Sequence, residues 1–217
     1  MRFVILIAAV ALASCVSDPL SAANTALRGE PLDARIEALM AREQVVGMAV
    51  AVVERGEITH IGAYGYRNRE SALPLETDTI MYGASLTKAA FAYMVMQLVD
   101  EGRLDLDRGI ADYLPRPLPD YEDYADLAGD ERWRQLTPRI LLSHTSGFAN
   151  MRWLDDDRRL RFYFTPGEHY AYSNEGIWVL QTVLEEGLGL DVGAEMQTRV
   201  FDRFGMTRTS MQWRDDF

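Results

Sequence analysis

The chain holds one lysine and one cysteine among 217 residues. Its 22 cationic side chains are therefore 21 arginines and Lys88. Arginine and lysine serve alike as solvated surface cations, but guanidinium stays protonated, whereas a partly buried ammonium can release its proton and act as a base. A sequence so biased to arginine has reason to keep a lysine where arginine cannot substitute. A single cysteine, Cys15, excludes an internal disulfide. Basic clusters with interleaved aromatics are missing as well. With a formal net charge of -11, that sets the chain against nucleic-acid backbones. The three histidines, His60, His144 and His169, show no metal-ligand spacing, and nothing in the sequence asks for a metal or a cofactor. No internal repeat is visible. What is present, 48% hydrophobic and 25% charged residues, is the composition of one large globular domain or two small ones.

No apolar run at the N-terminus is long enough to anchor stably across a bilayer: Arg2 precedes an apolar stretch from Phe3 to Ala13. The pattern fits a secretory signal. Leu12-Ala13-Ser14-Cys15 resembles the lipobox of bacterial lipoproteins, so residues 1–15 are read as signal peptide, Cys15 as the lipidated residue and residues 16–30 as a tether. An ordinary signal cut near Ala23 is the alternative. Both readings place the mature protein outside the cytoplasm, and only the first gives it contact with a membrane, through the lipid anchor.

Beyond the tether, Leu32, Ile36, Leu39 and Met40 recur at helical spacing, predicting an amphipathic helix from Pro31 to Glu43. Val45–Val53 is almost continuously apolar and rich in β-branched residues. It reads as a strand buried on both faces, paired through an Arg55-Gly56 turn with a partner over Glu57–Tyr66. From Ser85 onward the pattern is helical. Leu86–Glu101 is apolar on nearly every face, predicting a central buried helix stopped by Gly102, with Met94 and Met96 in the core. A short helix over Asp105–Leu114, one opened by the Thr137 cap and Pro138, one over Asn174–Glu186 and one over Asp191–Phe204 follow. The order gives a mixed α/β fold, with a sheet portion over residues 31–82 and a mainly helical portion over 83–217.

Ser85 opens the buried helix, and Lys88 follows one turn later on the same face. A hydroxyl at the positive end of a helix with an amine beside it suits a serine nucleophile. S-x-x-K alone is weak, and Ser85 as a plain N-cap is an open alternative. Two further segments accompany it. Tyr172-Ser173-Asn174 stands at a helix start, and Ser143-His144-Thr145-Ser146 forms a polar turn after a capped helix. By themselves Tyr172 reads as a packed aromatic next to Tyr170 before it reads as catalytic, Asn174 as a cap and His144 as a structural hydrogen-bonding residue of its turn. Trp153, Phe162, Tyr163 and Phe164 are either a substrate wall or surface packing.

Gly83-Ala84-Ser85-Leu86-Thr87-Lys88, Leu141-Leu142-Ser143-His144-Thr145-Ser146-Gly147 and Tyr172-Ser173-Asn174 together resemble the serine β-lactamase and penicillin-binding protein superfamily. The likeness is greatest to its class C branch, which includes D-alanyl-D-alanine peptidases and related esterases. It runs over roughly residues 31 to 212. The resemblance implies an antiparallel sheet flanked by helices with an all-helical subdomain, and acyl-enzyme chemistry on a β-lactam, a peptidyl-D-alanine or an ester. It makes Ser85 the nucleophile, with its backbone N–H as half of an oxyanion hole. Lys88 holds or accepts the hydroxyl proton, and Tyr172 is the general base. Asn174 hydrogen-bonds Lys88 and the substrate amide. The substrate is a small molecule or a peptidoglycan-derived one, and no cofactor is implied.

The superfamily's third motif, Lys or His followed by Thr or Ser and Gly, is not found after Asn174, so the resemblance leads us to expect a chain cut short of its C-terminal strands. As given, it should be unstable and catalytically weak. Two other readings stand beside the serine hydrolase. An α/β-hydrolase triad lacks its G-x-S-x-G elbow here. A lipid-anchored pseudoenzyme or cell-wall binding module accords with the missing motif.

Overall fold

Two stretches of contrasting pattern, one alternating and one helical, fold into two compact units divided between Thr79 and Ile80. The computed structural model describes residues 30–215, and the signal, Cys15 and nearly all of the tether lie outside them. In the first unit, helix α1 (Glu30–Glu43) precedes strands β1 (Gly47–Glu54), β2 (Glu57–Asn68) and the short β3 (Leu73–Pro74). They form one antiparallel sheet in the order β1-β2-β3. Glu54 pairs with Glu57 across a two-residue loop. Arg55 and Gly56 there take φ values of 52° and 84°, the doubly positive pattern of the turn that matches strand twist.

The apolar stripe of α1, Leu32, Ile36 and Met40, packs with Tyr64 against Met48, Val50 and Val52. Tyr64 also donates a 2.5 Å hydrogen bond to Asp33 and lies 2.9 Å from His60 Nε2. Burial and the Asp33 carboxylate push its phenol up to about 12. β1 is not buried on both faces as its composition suggests: the alternate residues Ala49, Ala51 and Val53 are exposed, Val53 at 61%. Only one side of the sheet meets a helix among the described residues, so an apolar run becomes a half-covered strand.

The second unit is built on helix α2 (Thr87–Asp100). Its Phe91, Met94, Val95 and Leu98 are buried, spaced as one face of a helix. Tyr93 and Met96 are exposed, so the helix is amphipathic here rather than enclosed, and Met96 is not core. Glu101 caps it and Gly102, at φ 69°, turns the chain away. The Asp105–Leu114 segment forms only a 3₁₀ turn at Ile110–Asp112. Helix α3 (Pro138–Leu142) starts where the cap and proline predict, with Ile140 N–H donating to Thr137 Oγ1 at 3.3 Å. Helices α4 (Asn174–Thr182) and α5 (Val192–Met196) each run on into a π-helical turn, ending at Gly187 and Phe201. Leu98, Val179, Leu180, Val183, Leu184 and Met196 are fully buried together. Full burial of one such side chain stabilises by roughly 1.5–3 kcal/mol.

Candidate active site

Ser85 lies on a 3₁₀ turn, Ala84–Leu86, that runs straight into α2. Ala84, just before it, takes φ 43°, a left-handed conformation that costs a non-glycine residue about 1 kcal/mol or more. The Leu86 N–H donates to the Gly83 carbonyl at 3.0 Å and closes the turn. Ser85 is thereby left exposed at the helix start, with Lys88 half-buried one turn on. Lys88 Nζ donates to Ser85 Oγ at 3.2 Å, as the i, i+3 spacing anticipates.

Tyr172 reaches the same oxygen from 87 residues away: its hydroxyl donates to Ser85 Oγ at 2.7 Å. Lys88 Nζ lies 5.1 Å from the centre of the tyrosine ring. Hydrogen bonding to Lys88, then to Ser85, pulls the Tyr172 phenol below the ordinary tyrosine value, against a smaller opposing effect of burial. The cluster therefore holds a hydroxyl flanked by an amine and by a phenol eased toward its anion. That is an arrangement able to draw the proton off Ser85 and leave its oxygen free to attack.

Asn174 stands beside this cluster in a different role from the expected one. Its side-chain amide donates to Asn150 Oδ1 at 2.7 Å, and Lys88 Nζ donates to Ser85 Oγ rather than to the Asn174 amide oxygen. Nor does it cap its helix: Ser173, fully buried, accepts from Gly176 N–H at 3.0 Å and donates to the Ala149 carbonyl at 2.8 Å. The next residue, Glu175, is also fully buried and is gripped by Arg152 through both carboxylate oxygens, at 2.6 Å from Nη2 to Oε2, while Arg152 N–H donates to Oε1 at 2.7 Å. Asn150 and Arg152 escaped sequence reasoning because no spacing pattern links them to α4. Glu175 had a signal, an acidic residue in the first turn of a helix.

The Ser143–Gly147 turn packs on the start of α4. A Cβ on Gly147, at φ 89°, would meet the Phe164 carbonyl oxygen at 2.4 Å, so the residue must be glycine. Ser146 is fully buried, and a Cβ on Gly176 would come within 3.0 Å of its hydroxyl. His144 behaves as the hydrogen-bonding residue of its turn, accepting from Ser173 N–H at Nδ1 across 3.2 Å. Of the aromatics, Phe162 is buried and stacks on Phe148 at 4.3 Å, and Phe164 stacks on His169 at 3.7 Å. Trp153 stacks on Trp178 at 5.3 Å with half its surface exposed. An open groove of about 660 Å³ on the sheet unit, bounded by Asp33, Glu37, His60, Tyr64 and Glu76, holds no member of the Ser85 cluster.

Comparison with known proteins gives the same direction. The family model described as Beta-lactamase matches residues 32–216. The chain is 30% identical over 213 residues to esterase EstB of Burkholderia gladioli, covering 86% of this chain and 52% of that protein. It is 32% identical over 185 residues to penicillin-binding protein 4 of Amycolatopsis lactamdurans, covering 79% of this chain and 46% of that protein. The solved D-alanine carboxypeptidase AmpC of Burkholderia cenocepacia superposes with a TM-score of 0.68 at 26% identity, over 85% of this chain and 50% of that one. The chain thus spans about half the length of these relatives.

Proposed function

The chain belongs to the beta-lactamase family, and from that premise we propose that it is a serine hydrolase working through an acyl-enzyme on Ser85. The observation that carries this is the convergence of Lys88 Nζ and Tyr172 OH on one oxygen, at 3.2 and 2.7 Å. The Tyr172 phenolate, stabilised by the Lys88 ammonium, takes the hydroxyl proton as Ser85 Oγ bonds to the substrate carbonyl carbon. The Ser85 backbone N–H supports the resulting oxyanion. Collapse breaks the bond to the leaving nitrogen or oxygen, which receives the proton from Tyr172. A water then attacks the ester with Tyr172 again as base, releasing the acid and restoring Ser85.

The names of the relatives, an esterase, a penicillin-binding protein and a D-alanine carboxypeptidase, support a carbonyl substrate of the β-lactam, peptidyl-D-alanine or ester class. The N-terminal pattern supports export and lipidation of Cys15. A lipid mass on the mature N-terminus, lost in Cys15→Ala, tests that part. For the chemistry, the protein is mixed with a fluorescent penicillin and its intact mass followed by peptide mapping. A slowly formed adduct at Ser85, absent in Ser85→Ala, is the expected result. No adduct at Ser85 under saturating probe, from folded protein, rejects the reading.

A further inference from the structure

We propose that His144 is a positioning residue that fixes the Tyr172 phenol against Ser85. The inference rests on the base role given to Tyr172 above and goes beyond it to the group that aims the base. Three contacts from this one residue bracket the tyrosine. The Ala171 N–H donates to the His144 carbonyl at 2.8 Å. The Ser173 N–H donates to His144 Nδ1 at 3.2 Å. Between these two anchors the imidazole lies over the Tyr172 ring, with centroids 4.4 Å apart and planes 35° apart. A second tyrosine, Tyr170, meets the imidazole in a T-shaped arrangement, with centroids 6.0 Å and planes 89° apart.

The backbone makes this possible. His144 follows α3 in the left-handed region, at φ 56°, which costs a residue with a Cβ about 1 kcal/mol or more. That conformation turns its carbonyl and its ring toward one stretch of chain, residues 171–173. Backbone bonds alone would fix the path of this stretch. The ring contact adds a constraint on the side chain, and Tyr172 must hold its hydroxyl within hydrogen-bond reach of Ser85 to act at all.

The role requires a bare Nδ1, so the neutral imidazole carries its proton on Nε2. The titratable groups facing the ring are Lys88 from α2, and Tyr170 and Tyr172 from the segment before α4. Burial is the main cause that holds His144 below the ordinary histidine value; the Ser173 contact opposes it and the smaller effect of the Lys88 charge adds to it. Protonation would set Nδ1–H against Ser173 N–H and open the bracket.

The test uses the full chain labelled with ¹³Cζ-tyrosine, with Tyr172→Phe to assign the resonance. Two readouts are taken, the titration of Tyr172 and the rate of Ser85 acylation by a fluorescent penicillin. In the wild type, Tyr172 should titrate below about 10. His144→Ala should raise that value by about one unit and slow acylation about tenfold, as the phenol swings away from Lys88. His144→Asn tolerates the left-handed backbone and can still accept from Ser173, so it should recover part of both effects. His144→Ala with both readouts at wild-type values overturns the role. Should alanine prevent folding, His144→Asn decides: a raised Tyr172 titration supports the proposal, and an unchanged one overturns it. A wild-type Tyr172 that titrates at about 10 with no adduct at Ser85 removes the base role, and that of His144 with it. A lowered titration and a normal adduct, both indifferent to residue 144, remove only the role of His144.

Discussion

The two units differ most in how they treat their apolar residues. In the helical unit, Leu98, Val179, Leu180, Val183, Leu184 and Met196 are wholly enclosed by side chains of the same unit. In the sheet unit the core is a thin layer between α1 and one face of β1 and β2, and the other face leaves Val53, Ile58 and Ile61 more than half exposed. Three strands with one covered face are near the lower limit for a sheet that holds itself together. The Ser85 cluster draws all its members from the helical unit: a helix start, a turn after a short helix, and the segment before α4. Reactive groups held to tenths of an ångström need rigid supports, and that unit supplies them.

Chemistry gives the strongest way to break the contrast. Lys88→Arg keeps a cation beside Ser85, but a planar guanidinium cannot reproduce the point charge or release a proton. Ser85 acylation should fall about 10²- to 10⁴-fold with the melting temperature unchanged. In the unaltered protein the acylation rate should rise with pH as Tyr172 ionises and level off below the ordinary tyrosine value of about 10, since the phenol is lowered by its Lys88 and Ser85 contacts. With Tyr172 as the proposed base the active form is the deprotonated one, so the rate should be lost as pH falls through the Tyr172 titration. Stopped-flow fluorescence of a labelled penicillin across pH measures both.

Nearly as large should be the loss when the polar core of the helical unit is broken. Glu175 is wholly buried against Arg152, and Arg152→Met leaves its carboxylate with a backbone N–H but no cationic partner. A loss of about 3–5 kcal/mol in unfolding free energy by urea denaturation is expected. Below it come apolar truncations, where the two units should part. Leu98→Ala in the helical core should cost about 2–5 kcal/mol. Ile61→Ala on the open face of the sheet, where the side chain is 57% exposed, should change stability by less than about 0.5 kcal/mol. Equal losses at the two positions would mean that the sheet face is covered.

How far the sequence foretold this depends on the range of the interaction. The α1 stripe, the Thr137 cap, the Arg55-Gly56 turn and the Ser85–Lys88 pair are all settled within a few residues, and each was legible. Tyr172 meeting Ser85 across 87 residues was not legible from spacing, since local periodicity carries no information on which distant loop comes near. Only resemblance to known proteins put the two together. Burial was misjudged where composition stood in for neighbours. Val53 and Met96 are apolar but exposed, because what covers a residue is a property of the partner element. Asn174 differs in another way: its amide donates to Asn150, a side chain that nothing in the motif specifies.

The smallest effect, and the finest probe of the weaker unit, lies in its hairpin turn. Arg55 sits at φ 52° and Gly56 at φ 84° between Glu54 and Glu57, which pair across the loop. Glycine takes that geometry freely, but arginine carries a Cβ into the left-handed region, where asparagine is the side-chain-bearing residue best tolerated. Arg55→Asn should therefore stabilise the hairpin by about 0.5 kcal/mol, without touching any core contact. Amide hydrogen exchange is the suitable measurement, because it resolves the β1–β2 bonds separately from those of α2 and α4. Protection should rise in the hairpin and stay constant in the helices. A rise shared by all of them would show that the sheet unit and the helical unit open as one, and the contrast in packing between them would then have no counterpart in their stability.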